Sequence, residues 1–509
     1  SFVINSLSTN NSILITNGGD NGSFKLGYTR SDDRDDVPGT YYMKNKIDFG
    51  ATYNITPKLT VGANVNFTNQ DNKTGEGTGY DGTNSDNRNV MSGFRQWWGL
   101  NNDIKELKEA YELYPNQNTT WNMRDPARSD TTPAYWNNHY WVVLHNYATS
   151  SRNRYLGNVN ANYKATNWLS FTGRVSVDSY SDLDEERYDV GSIGTPYYSR
   201  YNKSYRETNF DLYATVDKNI ASDLNLKALL GTNIRKNYIS SVEAETNNGL
   251  VIPGFYSLSN TVSAPVPANE VLQNTEVDGA YADATLTWKK LINLEGTIRR
   301  DVSSTLPGGA NSYWYPSVSV GFICSELTKN ALPWLSYGKT RASYAEVGSD
   351  SLAYRINDTY FCNTPYNGNA TTQQPALKNN PNLKPERTRS AEAGLELDFL
   401  NGRLHFDGSY YVTKTMDELI PTNVSTATGY FNYYLNAGAV QNKGWELSVS
   451  GTPVATQKFN WKLTVNWSAN RNKVVELFKD GSGNQAKDLL LAGFQNGESL
   501  NAPLNEPYG

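Results

Sequence analysis

No run of about eighteen apolar residues occurs anywhere in the 509-residue sequence, so no segment is built to cross a bilayer as a helix. Only 2 cysteines are present, which leaves no disulfide framework and no Cys-x-x-Cys metal pair. The 3 histidines, His139, His145 and His405, are scattered, and the HExxH, GxSxG and GxxxxGK patterns are all missing. Zinc protease, serine hydrolase and P-loop chemistry therefore have no sequence basis, and neither enzymatic activity nor a cofactor nor a metal centre is expected. Basic residues, 46 in number, fall short of the 51 acidic ones, and a net charge of -5 argues against a general nucleic-acid binder. The mean hydropathy of -0.62 is too polar for a bundle of spanning helices. It is not too polar for spanning strands, which need apolar residues only at alternate positions.

What is abundant is aromatic and alternating. The 35 tyrosines and 12 tryptophans suit the girdles in which a ring with a polar handle sits at headgroup depth. Between residues 391 and 399, Ala391, Ala393, Leu395, Leu397 and Phe399 share one face and Glu392, Glu396 and Asp398 the other, the period of a strand. An Asn401-Gly402 turn, whose residues tolerate positive φ, leads to Leu404, Phe406, Gly408, Tyr410 and Val412 in the same alternation. A longer polar loop, 421–436, precedes Trp445, Leu447 and Val449, and a short turn then feeds Phe459, Trp461, Leu463, Val465 and Trp467. Short turn, long loop, short turn is the rhythm of an up-and-down meander whose two ends differ.

A strand with one apolar face fits a soluble sandwich or a membrane barrel. Length and charge favour the barrel: the alternation holds for about ten residues per strand, enough to cross the hydrocarbon at a tilt, and the polar face carries charges in mid-strand, as a water-lined lumen requires. The same pattern recurs without a compositional break, so one architecture covers residues 1–509, an all-β antiparallel transmembrane β-barrel with about sixteen strands in this chain. Cys324 falls near a short-turn end and Cys362 in a long-loop region. A crossing of about 25 Å separates the two ends, whereas a disulfide needs about 7 Å, so both are expected to be free thiols. The opening Ser-Phe-Val-Ile-Asn is neither a signal peptide nor a polar tail, and the chain is expected to begin inside a longer precursor.

The long connections predict where function lies. Loops are expected at 30–39, 182–206, 242–274 and 351–386, and from Asp71 to Ser151 the alternation stops for a stretch far beyond an ordinary loop. This insertion, 71–151, is expected to be a structured extracellular excursion with a helix near 102–112. Its aromatic residues include Trp97, Trp98, Trp136, Tyr140 and Trp141, the candidate substrate-binding set, because flat rings stack on the apolar faces of sugars while Asn137, Asn138 and His139 read hydroxyls. The alternative is that these rings form the core of the excursion or its contact with a lid. The acidic runs Asp32, Asp33, Asp35, Asp36 and Asp182, Asp184, Glu185, Glu186 could hold Ca²⁺, but they lack a recognised ligand spacing and read better as solvated faces.

Several segments resemble the SusC/RagA-type TonB-dependent outer-membrane transporters of the Bacteroidetes. They are Asn-Pro-Asn-Leu-Lys-Pro-Glu-Arg-Thr at 380–388, Ala-Gly-Leu-Glu-Leu-Asp-Phe at 393–399, Asn-Ala-Gly-Ala-Val-Gln-Asn-Lys-Gly-Trp-Glu-Leu at 436–447, Ile-Arg-Arg-Asp-Val-Ser-Ser at 298–304, Pro-Ser-Val-Ser-Val-Gly-Phe at 316–322, 341–350, and the closing Asn-Glu-Pro-Tyr-Gly. The resemblance implies a barrel of about 22 strands in the outer membrane, an N-terminal plug, a SusD-like lipoprotein lid, and energy coupling to the TonB complex. Its implied function is active import of an oligosaccharide or oligopeptide. The plug, the TonB box and about six strands have no counterpart in this sequence, which points to a partial chain. A passive porin and a glycan-binding adhesin without transport stand as the competing functions.

Overall fold

The computed structural model describes residues 2–74, 90, 93–94, 98–328, 330–479, 483–494 and 497–508. Sixteen strands form one sheet in strict sequence order. They are β1 (Leu7–Gly19), β2 (Gly22–Arg34), β3 (Tyr41–Thr56), β4 (Leu59–Thr74), β5 (Ala148–Lys164), β6 (Leu169–Tyr188), β7 (Tyr197–Ala221) and β8 (Leu224–Glu245), followed by β9 (Asn269–Trp288), β10 (Ile292–Ser303), β11 (Ser312–Ile323), β12 (Leu335–Ser349), β13 (Glu386–Phe399), β14 (Leu404–Met416), β15 (Ala439–Ala455) and β16 (Asn460–Glu476). The chain divides into two compact units. The first comprises Ser1–Ala161, Arg174–Asn209 and Lys236–Asn274, the second Asn162–Gly173, Phe210–Arg235 and Thr275–Gly509.

The register explains the alternation. In the second unit Leu294 of β10 pairs with Val320 of β11 and Arg300 with Trp314, while Glu295 pairs with Ser319 and Thr297 with Ser317. Leu294, Ile298, Trp314, Val318 and Val320 are exposed, and the intervening polar residues are half-buried. That is the reverse of a sandwich, whose apolar faces meet, and it is the arrangement of strands whose apolar face meets lipid. No helix among the described residues is long and apolar enough to cross a membrane.

Short and long connections alternate as expected, but several strands run further than their apolar pattern. Arg30–Arg34 continue β2 instead of opening the acidic loop, with Arg34 paired to Leu7. The expected loop at 182–206 shrinks to 189–196, because β6 reaches Tyr188 and β7 starts at Tyr197. Likewise β8 runs to Glu245 and β9 begins at Asn269. The reason is that ladder hydrogen bonds continue past the hydrocarbon, where the outward face is no longer required to be apolar and the period-2 signal disappears. The turn at 400–403 is also wider than a two-residue hairpin, with Leu400, Asn401 and Gly402 all at positive φ (55°, 56° and 79°). Both cysteines are free.

The family-like motifs of the second unit hold one another. Asn436 accepts from the Lys384 N–H at 2.8 Å and donates to the Lys384 carbonyl at 2.7 Å and the Asp417 carbonyl at 3.0 Å. Leu383, beside it, is fully buried with Leu306 and Tyr434. The Asn-Pro-Asn-Leu-Lys-Pro and Asn-Ala-Gly runs thus form a latch between two long loops, a structural reason for both.

Candidate functional site

The excursion between β4 and β5 is built on helix ends and asparagines. Helix α1 (Ile104–Leu113) is capped by Asp103, whose carboxylate accepts from the Lys105 N–H at 2.8 Å, and α2 (His139–His145) by Asn138, which accepts from the Tyr140 N–H at 2.9 Å. The Asn138 amide also donates to the Leu107 and Thr119 carbonyls, both at 2.9 Å. Asn118 donates to Asn137 at 2.7 Å and to the Gly191 carbonyl at 3.0 Å, which ties the excursion to the β6–β7 loop.

The five candidate rings do not share one surface. Trp97 lies outside the described residues. Tyr140 is buried with Phe2, Val90, Val142 and Val143. Trp141, 2 % exposed, stacks on His145 with centroids 3.9 Å apart and donates from Nε1 to Ser192 at 2.8 Å. A ring without an open face cannot stack on a sugar, so Tyr140 and Trp141 serve as core here, as the packing alternative has it. Asn137, Asn138 and His139, expected to read hydroxyls, are buried as well. Trp98 and Trp136 are half-buried and keep part of their faces open.

The two histidines of α2 contrast. His139 lies between Phe94 (centroids 3.9 Å apart) and Trp121 (5.2 Å), with neither ring nitrogen partnered among the described residues. Burial pushes its pKa down to about 3, so it is neutral at physiological pH. His145 instead sits in a hydrogen-bonded row, its Nδ1 2.9 Å from Asp189 and its Nε2 3.2 Å from the Tyr111 hydroxyl. Burial pushes the Asp189 carboxyl up, but hydrogen bonds from His145 and the Gly254 and Val190 N–H groups outweigh it and hold the pKa below its ordinary value.

Along the strands, several carboxylates are matched by arginine. Arg152 of β5 forks onto Asp182 at 2.5 and 2.7 Å, and Arg154 onto Asp178 at 2.8 and 2.6 Å. In the second unit Arg341 forks onto Asp407 at 3.1 and 2.8 Å, and Arg387 meets Glu346 at 2.5 Å. Asp32, in the first acidic run, pairs with Arg30 at 2.5 Å.

At the long-loop end of β6 to β9, within the first unit, a cavity of about 1070 Å³ is lined by Asp184 and Glu186 of β6, Tyr197, Ser199 and Tyr201 of β7, Ser241, Glu243 and Glu245 of β8, and Asn269 and Val271 of β9. No lysine or arginine is among its lining residues. Two-residue spacing puts Asp184 and Glu186 on the face of Asp182 and Asp178. The sequence does carry a signal for this site, the pairs Asp-x-Glu at 184–186 and Glu-x-Glu at 243–245. The strand order β6–β7–β8 brings them to one cavity, on the two strands that flank β7.

A model of the TonB dependent receptor-like β-barrel family matches residues 107–502. Among curated relatives, TonB-dependent receptor P26 of Formosa agariphila is 32% identical over 286 residues, 51% of this chain and 27% of that protein. TonB-dependent receptor SusC of Bacteroides thetaiotaomicron is 31% identical over 196 residues, 36% of this chain and 19% of that protein. The solved RagAB peptide transporter aligns with a TM-score of 0.79 at 18% identity, over 98% of this chain and 53% of its own. The ferric citrate transporter FecA aligns at 0.56 and 9% identity, over 92% and 57%. At these identities the structural matches speak for fold alone. The chain spans about half the length of the solved transporters, and its matches cover about a quarter or less of the curated relatives.

Proposed function

The chain belongs to the TonB-dependent receptor β-barrel family of the outer membrane, and from that premise we propose that it is the barrel of an importer that takes up an oligomeric nutrient, an oligosaccharide or an oligopeptide, with energy drawn through TonB. A SusD-like surface lipoprotein closes the long-loop side in this reading. The observation that carries it is the sidedness of the sheet: the four longest connections, 75–147, 246–268, 350–385 and 417–438, all leave from one end, and the cavity lined by β6 to β9 opens at that same end. Outer-membrane barrels place long loops outside the cell and short turns in the periplasm, so an oligomer arriving from outside meets that cavity first. The open faces of Trp98 and Trp136 are proposed as additional stacking positions, with Trp97 retained as a candidate outside the described residues.

The test is uptake of fluorescent oligomers by cells that carry the full-length receptor. Import is expected to stop on removing either TonB or the lid lipoprotein. Uptake that persists without TonB, together with ion conductance in planar bilayers, would establish a passive porin instead, and binding without any uptake an adhesin.

A further inference from the structure

We infer that the lipid-facing side of β13 to β16 ends, at the long loops, in a basic rim that holds the phosphate-bearing headgroups of the outer-leaflet glycolipid. Arg389, Lys414, Lys443, Arg471 and Lys473 build it, all within the second unit. It rests on the sidedness of the sheet and not on what is imported. Residues directly opposite each other share a face, so the register fixes where these cations lie. On β13 and β14 the apolar side runs Leu397 with Phe406, Ala393 with Tyr410 and Ala391 with Val412, and the next pair is Arg389 with Lys414. On β15 and β16 it runs Leu447 with Trp467 and Trp445 with Ala469, then Lys443 with Arg471 and Gln441 with Lys473. Lys414 pairs with Gln441, which joins the two hairpins into one surface. With strands about 4.8 Å apart and alternate residues about 6.7 Å apart along each strand, the cations form two rows over a width of about 14 Å.

Aromatic rings mark the depth. Tyr410 and Trp445 pack with ring centroids 4.7 Å apart, and Tyr344 of β12 stands opposite Ala391 on the same side. Rings with a polar handle settle at headgroup level. Lys443 is the next residue beyond Trp445 on that side, and Lys414 the second beyond Tyr410. The cations therefore project among the headgroups, while Leu447, Val449 and Val465 below them meet the acyl chains.

Charge matching separates this rim from the rest of the sheet. On the polar face Arg152, Arg154 and Arg341 are each held by a carboxylate. In the rim Glu346 meets Arg389 at 3.1 Å and the neighbouring Arg387 at 2.5 Å. Lys414, Lys443, Arg471 and Lys473 make no ion pair or side-chain hydrogen bond among the described residues. Arg389 nevertheless stands directly opposite Lys414, and Lys443 directly opposite Arg471, and like charges so placed repel. An anion from outside the chain relieves that repulsion. A lipid phosphate fits best, because basic residues beside a membrane-spanning segment gain from headgroup charge and the same lipid covers the apolar residues below. A soluble anion has no such second contact.

The experiment measures lipid binding to the purified full-length receptor in neutral detergent, by displacement of a fluorescent diphosphoryl lipid A. The competitors are unlabelled diphosphoryl lipid A, the same glycolipid without its phosphates, phosphatidylglycerol and inorganic phosphate. The phosphorylated glycolipid is expected to compete about tenfold more effectively than the dephosphorylated one, with the difference shrinking as salt rises. The quadruple variant Lys414→Gln, Lys443→Gln, Arg471→Gln, Lys473→Gln is expected to remove that difference while the barrel stays folded, as read by heat-modifiable mobility on gels. Replacing the three lysines by arginine is expected to keep it. Arg403→Gln with Lys458→Gln, in the short turns at the opposite end of the same hairpins, is expected to change nothing. Equal competition by the two glycolipid forms, or an unchanged preference in the quadruple variant, overturns the inference. Phosphatidylglycerol that competes as well as diphosphoryl lipid A overturns the glycolipid assignment, and inorganic phosphate that does so overturns a lipid occupant. A quadruple variant that keeps the lipid preference but no longer holds its lid lipoprotein gives the rim to a protein partner instead. Import is read separately: loss of lipid preference with TonB-dependent uptake intact keeps both the rim and the importer.

Discussion

The excursion of the first unit and the strands β15 and β16 of the second draw on the same residue types and treat them in opposite ways. In the excursion, Tyr140 and Trp141 are buried against Phe2, Val90 and His145. In the strands, Trp445, Trp461 and Trp467 stand exposed on the face that also carries Leu463 and Val465. An aromatic ring in the excursion replaces water by protein, and one on the strands is shaped to replace water by lipid. The difference follows from the backbone: α2 turns its short apolar run onto neighbours, whereas a strand in a wide sheet has no second layer to pack against on that face.

The comparison breaks first at Trp141. Trp141→Ala removes a fully packed ring and its bond to Ser192, and is expected to destabilise the excursion by about 3–5 kcal/mol. Limited proteolysis should then cut within 98–147 while the strands stay resistant. Cleavage no faster than in the parent chain would mean that the ring is not core.

A lipid-facing position answers with the next largest effect. Val465→Arg puts a charge on the apolar face of β16, at a cost of about 2–4 kcal/mol near the midplane, to be read by urea unfolding in lipid vesicles. Asn466→Arg, one residue on and facing the polar side, is expected to cost far less. Similar costs at the two positions would remove the assignment of faces.

Acidification separates the two regions without a substitution. His139 has an ordinary pKa of about 6.5 when unfolded and about 3 in the fold. Between those values the unfolded state carries a proton that the folded state does not. The contribution of His139 is therefore fully present above about pH 6.5 and is lost at about 1.4 kcal/mol per unit as pH falls towards 3. Hydrogen exchange in α2 should accelerate over that range, and His139→Phe should abolish the acceleration. The barrel strands β10 and β11 carry no histidine and serve as the internal control.

How much of this was legible in the sequence depended on which solvent each residue meets. Where lipid lies on one side and water on the other, the alternation was explicit, and Leu395 to Phe399 and Trp461 to Trp467 fell in strands. Beyond the hydrocarbon, at Asp182 to Tyr188 and Tyr197 to Arg206, both faces are polar, the period vanished, and strand was read as loop. The excursion was visible as an interruption and its first helix by the run Ile104–Leu113, but α2 was not. Seven residues with apolar or aromatic side chains nearly throughout carry no helical period. The cavity lined by β6 to β9 depended on the order of the strands in the sheet, which no local pattern encodes.

The smallest expected effect concerns the rings that neither region fully claims. Trp98 contacts Phe94 and Trp121, with centroids 5.3 Å away in each case, and Trp136 is held through its backbone N–H, which donates to Asn122 at 2.8 Å. Each therefore has a fixed position and a partly open face, the condition for stacking on a ligand. Removing one such ring forfeits about 1 kcal/mol of contact, so Trp98→Ala with Trp136→Ala should weaken substrate binding by about tenfold or somewhat more. Protease resistance of the excursion should hardly change, because the buried layer of Tyr140, Val142 and Val143 stays intact. Loss of resistance along with affinity would put both tryptophans with Trp141 as packing. Unchanged affinity with unchanged resistance would mean that neither ring touches the substrate.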